Sequence, residues 1–125
     1  MKVFEQNSKF NFVDENNVLV GYDSGQSCCE HASWFFSDKV EKESGGQAEQ
    51  QTPEGIADYR FDPDFFEQVS NPGDFGDGGM VAFRCVKLDG KGPDIYLHLF
   101  NCHNGYYGHG FEMTVDGKNL RDGCL

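Results

Sequence analysis

The run Ile95-Tyr96-Leu97-His98-Leu99-Phe100 constrains the fold more than any other part of this sequence. Side chains of an extended chain alternate between two faces. Ile95, Leu97 and Leu99 therefore share one side, and Tyr96, His98 and Phe100 share the other. Both sides are largely apolar, so the strand must be central and covered on both faces. In that setting His98 reads as a satisfied structural histidine. Met80 to Leu88 reads as a second strand, joined to Asp94–Cys102 by Asp89-Gly90-Lys91-Gly92-Pro93, with glycines where a hairpin loop needs freedom. His103-Asn104-Gly105 supplies the next turn. Tyr106 to Val115 then returns as a third strand with Phe111, Met113 and Val115 on one side. Asp116-Gly117 ends it, and KNLRDGCL forms a short terminal element.

The N-terminal part carries the same signal more briefly. Phe10 and Phe12 alternate with polar residues, as do Val18, Val20 and Tyr22, across the turn material Asp14-Glu15-Asn16-Asn17. This pattern predicts a β-hairpin. Ala32-Ser33-Trp34-Phe35-Phe36 fits a strand or a single helical turn, with Trp34 mostly buried. Residues 38–58 form a polar stretch with four weakly apolar residues, Val40, Ala48, Ile56 and Ala57. The expectation is a mobile segment, or a flap over a site. Asp62-Pro63-Asp64 predicts the start of a short helix, with Asp62 as N-cap and Phe65, Phe66 and Val69 as its apolar side. The predicted fold class is α+β and mainly β. It is an antiparallel twisted sheet or small sandwich of at least five strands, with one short helix, in a single domain over 1–125.

Charge and cysteine usage narrow the partners. The net charge of −11 repels phosphate backbones and anionic membrane surfaces, and suits a basic protein partner. No run approaches the ~20 apolar residues of a membrane span. The opening MKVFEQNSKF has no apolar core of a signal peptide, which predicts a reducing, cytoplasmic setting. The five cysteines, Cys28, Cys29, Cys85, Cys102 and Cys124, show no regular spacing and do not read as a disulfide framework. Twelve phenylalanines, five tyrosines and one tryptophan supply enough buried area for a core without metal or disulfides.

Two short segments carry a resemblance. Gln26-Ser27-Cys28-Cys29-Glu30 follows the early hairpin, and Asn104-Gly105-Tyr106-Tyr107 opens the last strand. Together they resemble an uncharacterised domain family of small phage and bacterial proteins. Its members carry an acidic residue before the paired cysteines and a Ser-Asn-Gly-Tyr-Tyr turn. Ser27 and His103 depart from that pattern here. The resemblance implies a small β-rich fold and a phage or mobile-element origin. It implies no activity.

The residues that could carry chemistry gather at the same two segments. Cys28, Cys29, His31, His103 and His109 are all potential zinc ligands. No C-x-x-C pair exists, however, and adjacent cysteines in an extended chain point to opposite faces. Cys28 or Cys29 could act as a nucleophile with His103 or His109 as base and Glu30 orienting it, yet no hydrolase signature surrounds them. No catalytic residue, metal or cofactor is assigned. The leading expectation is a non-enzymatic accessory or protein-binding domain. The alternative is a small metal-binding or cysteine-dependent enzyme using the Cys28/Cys29/His103 region. The candidate binding surface comprises Cys28, Cys29, Glu30, His31, His103, Asn104, Gly105, Tyr106 and Tyr107. The Cys28–Glu30 and Asn104–Tyr107 segments are expected to be neighbours in space. Thermal melts should be unchanged by reductant and by chelator, and a large drop in melting temperature under either treatment would contradict this reading.

Overall fold

The computed structural model describes residues 1–25, 31–42, 48–70, 79–102 and 108–125. Within them lie ten strands: β1 (Lys2–Gln6), β2 (Lys9–Val13), β3 (Val18–Asp23), β4 (His31–Ser37), β5 (Tyr59–Phe61), β6 (Glu67–Ser70), β7 (Gly79–Lys87), β8 (Ile95–Cys102), β9 (Gly110–Val115) and β10 (Lys118–Cys124). The first sheet runs β1-β2-β3-β9-β10 and the second β4-β8-β7-β5, with β6 also paired to β7. Every pairing is antiparallel.

The two sheets pack face to face. Phe12, Val20, Tyr22, Phe111 and Met113 from the first sheet meet Trp34, Phe61, Val81, Phe83, Leu97 and Leu99 from the second in one buried cluster. Aromatic rings cross the gap edge-on, with Phe12 against Trp34 at 5.0 Å and Phe83 against Phe111 at 6.2 Å. Such contacts add about 0.5–1.5 kcal/mol each beyond area burial. A second cluster covers the opposite face of the second sheet: Phe35, Val69, Met80, Phe100 and Cys102, with Val40 packed on it. The strand β8 lies between β4 and β7 and feeds both clusters, as its two apolar faces require. Its His98 is fully buried.

The early hairpin forms in the expected register, with Phe10 opposite Tyr22 and Phe12 opposite Val20. Its turn is built by Asp14. One carboxylate oxygen accepts the N–H groups of Asn16 and Val18, at 3.0 and 2.9 Å, and closes the loop. The other accepts the N–H of Phe61 at 2.8 Å, and Phe61 belongs to the opposite sheet. Asp14 is itself buried, so it both shapes a turn and ties one sheet to the other.

The expected short helix at Asp62 is corrected. Among the described residues the only helical element is a single 3-10 turn at Ile56–Asp58. Asp62 does receive a backbone N–H, from Asp64 at 3.1 Å, and its carbonyl accepts from Phe65 at 3.2 Å. The turn stops there because the edge of β7 offers a ladder: from Glu67 onward the chain pairs with it, Val69 opposite Met80. Extended backbone also separates the two phenylalanines. Phe65 packs on Arg84 and Tyr96, while Phe66 packs on Phe83 and Phe111.

Ala32–Phe36 is strand, and the terminal element is the seven-residue β10. Parts of the polar stretch make named contacts. Glu49 bridges to Phe35, and the Gln50 N–H donates to the Trp34 carbonyl at 2.9 Å.

Replacing Asp14 by Ala should leave three backbone donors without their acceptor and cost about 3 kcal/mol. Asp14→Asn, which sets an NH2 against a backbone N–H, should cost about 2 kcal/mol. Urea denaturation measures both, and a loss below about 0.5 kcal/mol for Asp14→Ala would remove the role given to this carboxylate.

Candidate functional site

Of the sequence-selected residues, Cys28, Cys29, Glu30, His103, Asn104, Gly105, Tyr106 and Tyr107 lie outside the described residues. His31 is described and opens β4. Its register partner across the sheet is Cys102, the last residue of β8. The residues flanking the two selected segments are therefore paired. Whether Cys28–Glu30 and Asn104–Tyr107 themselves meet falls outside the described residues.

His31 is exposed, and its Nε2 lies 2.8 and 2.9 Å from the two carboxylate oxygens of Glu49. Its ring tilts against Phe100 at 5.5 Å. Cys102, though opposite His31, belongs to the apolar cluster with Phe35, Met80 and Phe100. There a thiol acts as a small hydrophobic group. Cys85 is buried in the central core, and burial pushes its thiol pKa far above the ordinary range. That disfavours the thiolate a nucleophile needs. Among the described residues, no group of three or more His, Cys, Asp and Glu side chains is placed to hold a metal ion.

The end of the sandwich beside these residues is closed by buried polar contacts. Tyr22 donates its hydroxyl to the Phe100 carbonyl at 2.7 Å, from one sheet to the other. The Nδ1 of buried His109 donates to the Asp23 carbonyl at 2.6 Å. Its backbone exchanges two 2.8 Å hydrogen bonds with Leu125, whose carbonyl also accepts from Asn101 at 3.0 Å. These contacts hold strand ends together.

A different surface carries the more open chemistry. On the outer face of the first sheet, Gly21 pairs with Glu112, and Glu112 pairs with Asp122. Lys9 pairs with Asp23 one row away. With only hydrogen at Gly21 and Gly110, the sheet leaves a recess of about 260 Å³, walled by Lys9, Asp23, Glu112 and Asp122. A Cβ on Gly21 would lie 3.5 Å from oxygens of both Asn11 and Glu112, so these side chains overhang the floor. Among the described residues, no Lys or Arg forms a salt bridge with Asp23, Glu112 or Asp122. The volume falls below the ~300–1,000 Å³ of small-molecule pockets, and suits a single long side chain. A hollow of about 380 Å³ lies by Met1, Val13 and Asp14, but the Asp14 carboxylate there is already committed to backbone donors.

Sequence reasoning missed this recess. The signal was Gly21 inside an otherwise apolar strand, VLVGYD, since an isolated strand glycine marks a close approach or a gap on one face.

The fold defines a β-sandwich of two antiparallel sheets. No protein-family model, curated protein or solved structure matches the chain.

The glycines of this region separate two kinds of constraint. A Cβ on Gly123 would come within 2.8 Å of the buried Phe111 ring, whereas one on Gly21 meets only ordinary contacts. Gly123→Ala should therefore cost about 1–3 kcal/mol through overpacking. Gly21→Ala should stay within about 0.5 kcal/mol of the parent. Urea melts of the two variants decide it, and equal tolerance would contradict the close packing of β10 on Phe111.

Proposed function

We propose that this chain is a non-enzymatic binding domain that docks a basic protein through the outer face of the β1-β2-β3-β9-β10 sheet. The observation that carries the reading is the recess at Gly21. Asp23, Glu112 and Asp122 surround it beside a single Lys9, with no salt bridge to a Lys or Arg among the described residues, in a chain of net charge −11. Carboxylates arranged this way attract a lysine or arginine side chain and speed encounter with a positive surface. The partner class is a basic protein, including one whose own groove binds nucleic acid. In that case the acidic domain competes for the groove.

The resemblance to small phage and bacterial proteins supports an accessory role in a phage or mobile element. A cytoplasmic setting is proposed from the cysteine pattern alone. No helix among the described residues is long and apolar enough to cross a membrane. The alternative, a metal-binding or cysteine-dependent enzyme, rests on residues outside the described set apart from His31, whose imidazole is engaged by Glu49, and His109, which is buried and bonded to the Asp23 carbonyl.

A lysine-rich peptide titrated into isotope-labelled protein tests the reading. Backbone shifts should centre on Gly21, Glu112 and Asp122 and weaken with added salt. The double variant Glu112→Lys/Asp122→Lys should weaken binding at least about tenfold. Charge reversal at Glu15 and Glu54, exposed residues away from the recess, controls for net charge. Equal weakening by both pairs would show that overall charge, and not this recess, binds the peptide.

A further inference from the structure

We propose that His98 is an acid-operated latch: protonation of its imidazole releases the arm at residues 38–42 from the second sheet, while residues 48–50 stay attached. The latch is visible in the hydrogen bonds. His98 is fully buried and stacks flat on Phe35, with ring centres 4.4 Å apart and planes 7° from parallel. Its Nε2 accepts the backbone N–H of Glu41 at 2.9 Å. The ring proton must then reside on Nδ1, which donates to the Tyr96 carbonyl at 3.2 Å. The imidazole is thus used in its neutral form, as an acceptor on one side and a donor on the other.

Adding a proton places Nε2–H directly against the Glu41 N–H. Two donors then face each other, and a charge is buried beside Phe35 and Ala82. Among the described residues, two further ties hold the arm. Ser37 donates its hydroxyl to the Glu41 carboxylate at 2.7 Å, and Val40 packs on the Phe35–Phe100 cluster. The 48–50 segment is held differently. The Gln50 N–H donates to the Trp34 carbonyl at 2.9 Å, its side chain to Ser33 at 3.2 Å, and Glu49 engages His31. None of these contacts requires a neutral His98.

Charged and titratable groups face His98 from every element packed against it. The arm contributes Asp38, Lys39, Glu41 and Lys42. From β4, Phe35 is its register partner, with Ser37 beside it and His31 two rungs away. On β7, Ala82 lies opposite and Arg84 one rung on; Glu67 of β6 continues the His98–Ala82 row. Tyr96 is its neighbour on β8. Burial lowers the His98 pKa from 6.5 to about 4, with the Tyr96 hydrogen bond, the Glu41 charge and a hydrogen bond at Phe35 opposing it. In the released arm the imidazole regains its ordinary value. Attachment is therefore fully favoured above about pH 6.5, and the preference is lost as pH falls toward 4. Across this window each pH unit shifts the released-to-attached ratio about tenfold. Release uncovers His98 and the apolar side chains beneath Val40.

Isotope-labelled protein followed by NMR from pH 7 to 4 is the test. The readouts are the coupling across the Glu41 N–H···Nε2 His98 hydrogen bond and the pH-corrected exchange protection of the Glu41 amide, with the Gln50 amide as internal reference. The coupling should vanish and Glu41 protection fall at least about tenfold, with Gln50 unchanged. His98→Phe keeps the ring stack but has no acceptor, so Glu41 should be unprotected at every pH. Should that variant fail to fold, His98→Gln offers an acceptor that does not titrate, and protection should stay high and flat. Protection that persists after the imidazole has titrated would overturn the latch. So would a simultaneous loss at Glu41, Leu99 and Val81, which would make His98 a determinant of the whole fold. A wild-type profile in His98→Gln would overturn it as well.

Discussion

One carboxylate joins the two halves of this sandwich. Asp14 receives two N–H groups from its own turn and one from Phe61 of the opposite sheet, all while buried. Apolar packing between sheets has no direction and tolerates sliding. Three hydrogen bonds to a single fixed group do not. The β2–β3 turn and the β5 edge are therefore held at a set distance, and the aromatic contacts between sheets form at that spacing. At the other end Tyr22 performs the same service, reaching from the first sheet to the Phe100 carbonyl. The layers are pinned near both ends by polar groups and filled between them by rings.

The second sheet is more demanding than the first because both of its faces are covered. Leu97 and Leu99 enter the central core, while Phe100 and His98 fall on the far side. The first sheet spends its outer face on solvent, with Lys9, Asn11, Glu112 and Asp122 outward. This division of labour leaves one face free for charge and for the recess at Gly21. The other is committed to packing and to the arm that Glu41 anchors.

Much of this arrangement was legible in the residues. Ile95–Phe100 announced a doubly covered strand, and Phe10–Tyr22 announced a hairpin, because both follow from alternation alone. The signals at Asp62 were read correctly as chemistry and incorrectly as structure. An aspartate that caps a helix also closes an isolated turn, and only the open edge of β7 decides which follows. Tyr59–Phe61 is too short to stand as a strand without that same edge. β1 was missed because its pattern is weak: Val3 faces the core while Lys2 and Phe4 face water. The candidate site was the least legible part. A recess depends on what glycine leaves out, and its walls come from β2, β3, β9 and β10, distant in sequence.

The strand order has a consequence for how the chain reaches this state. β3 completes its sheet against β9, and β4 pairs with β8, so each early strand waits for a partner made much later. During synthesis the first hairpin emerges with Phe12, Val20 and Tyr22 facing nothing. Trp34 and Phe35 follow on a strand whose ladder is still absent. Closing loops this long is slow, and the intermediate carries bare aromatic surface and open edges for as long as closure takes. The turn-closing half of the Asp14 interaction needs only residues 14 to 18, so it can form at once. It gives the nascent chain one ordered corner on which the later strands assemble.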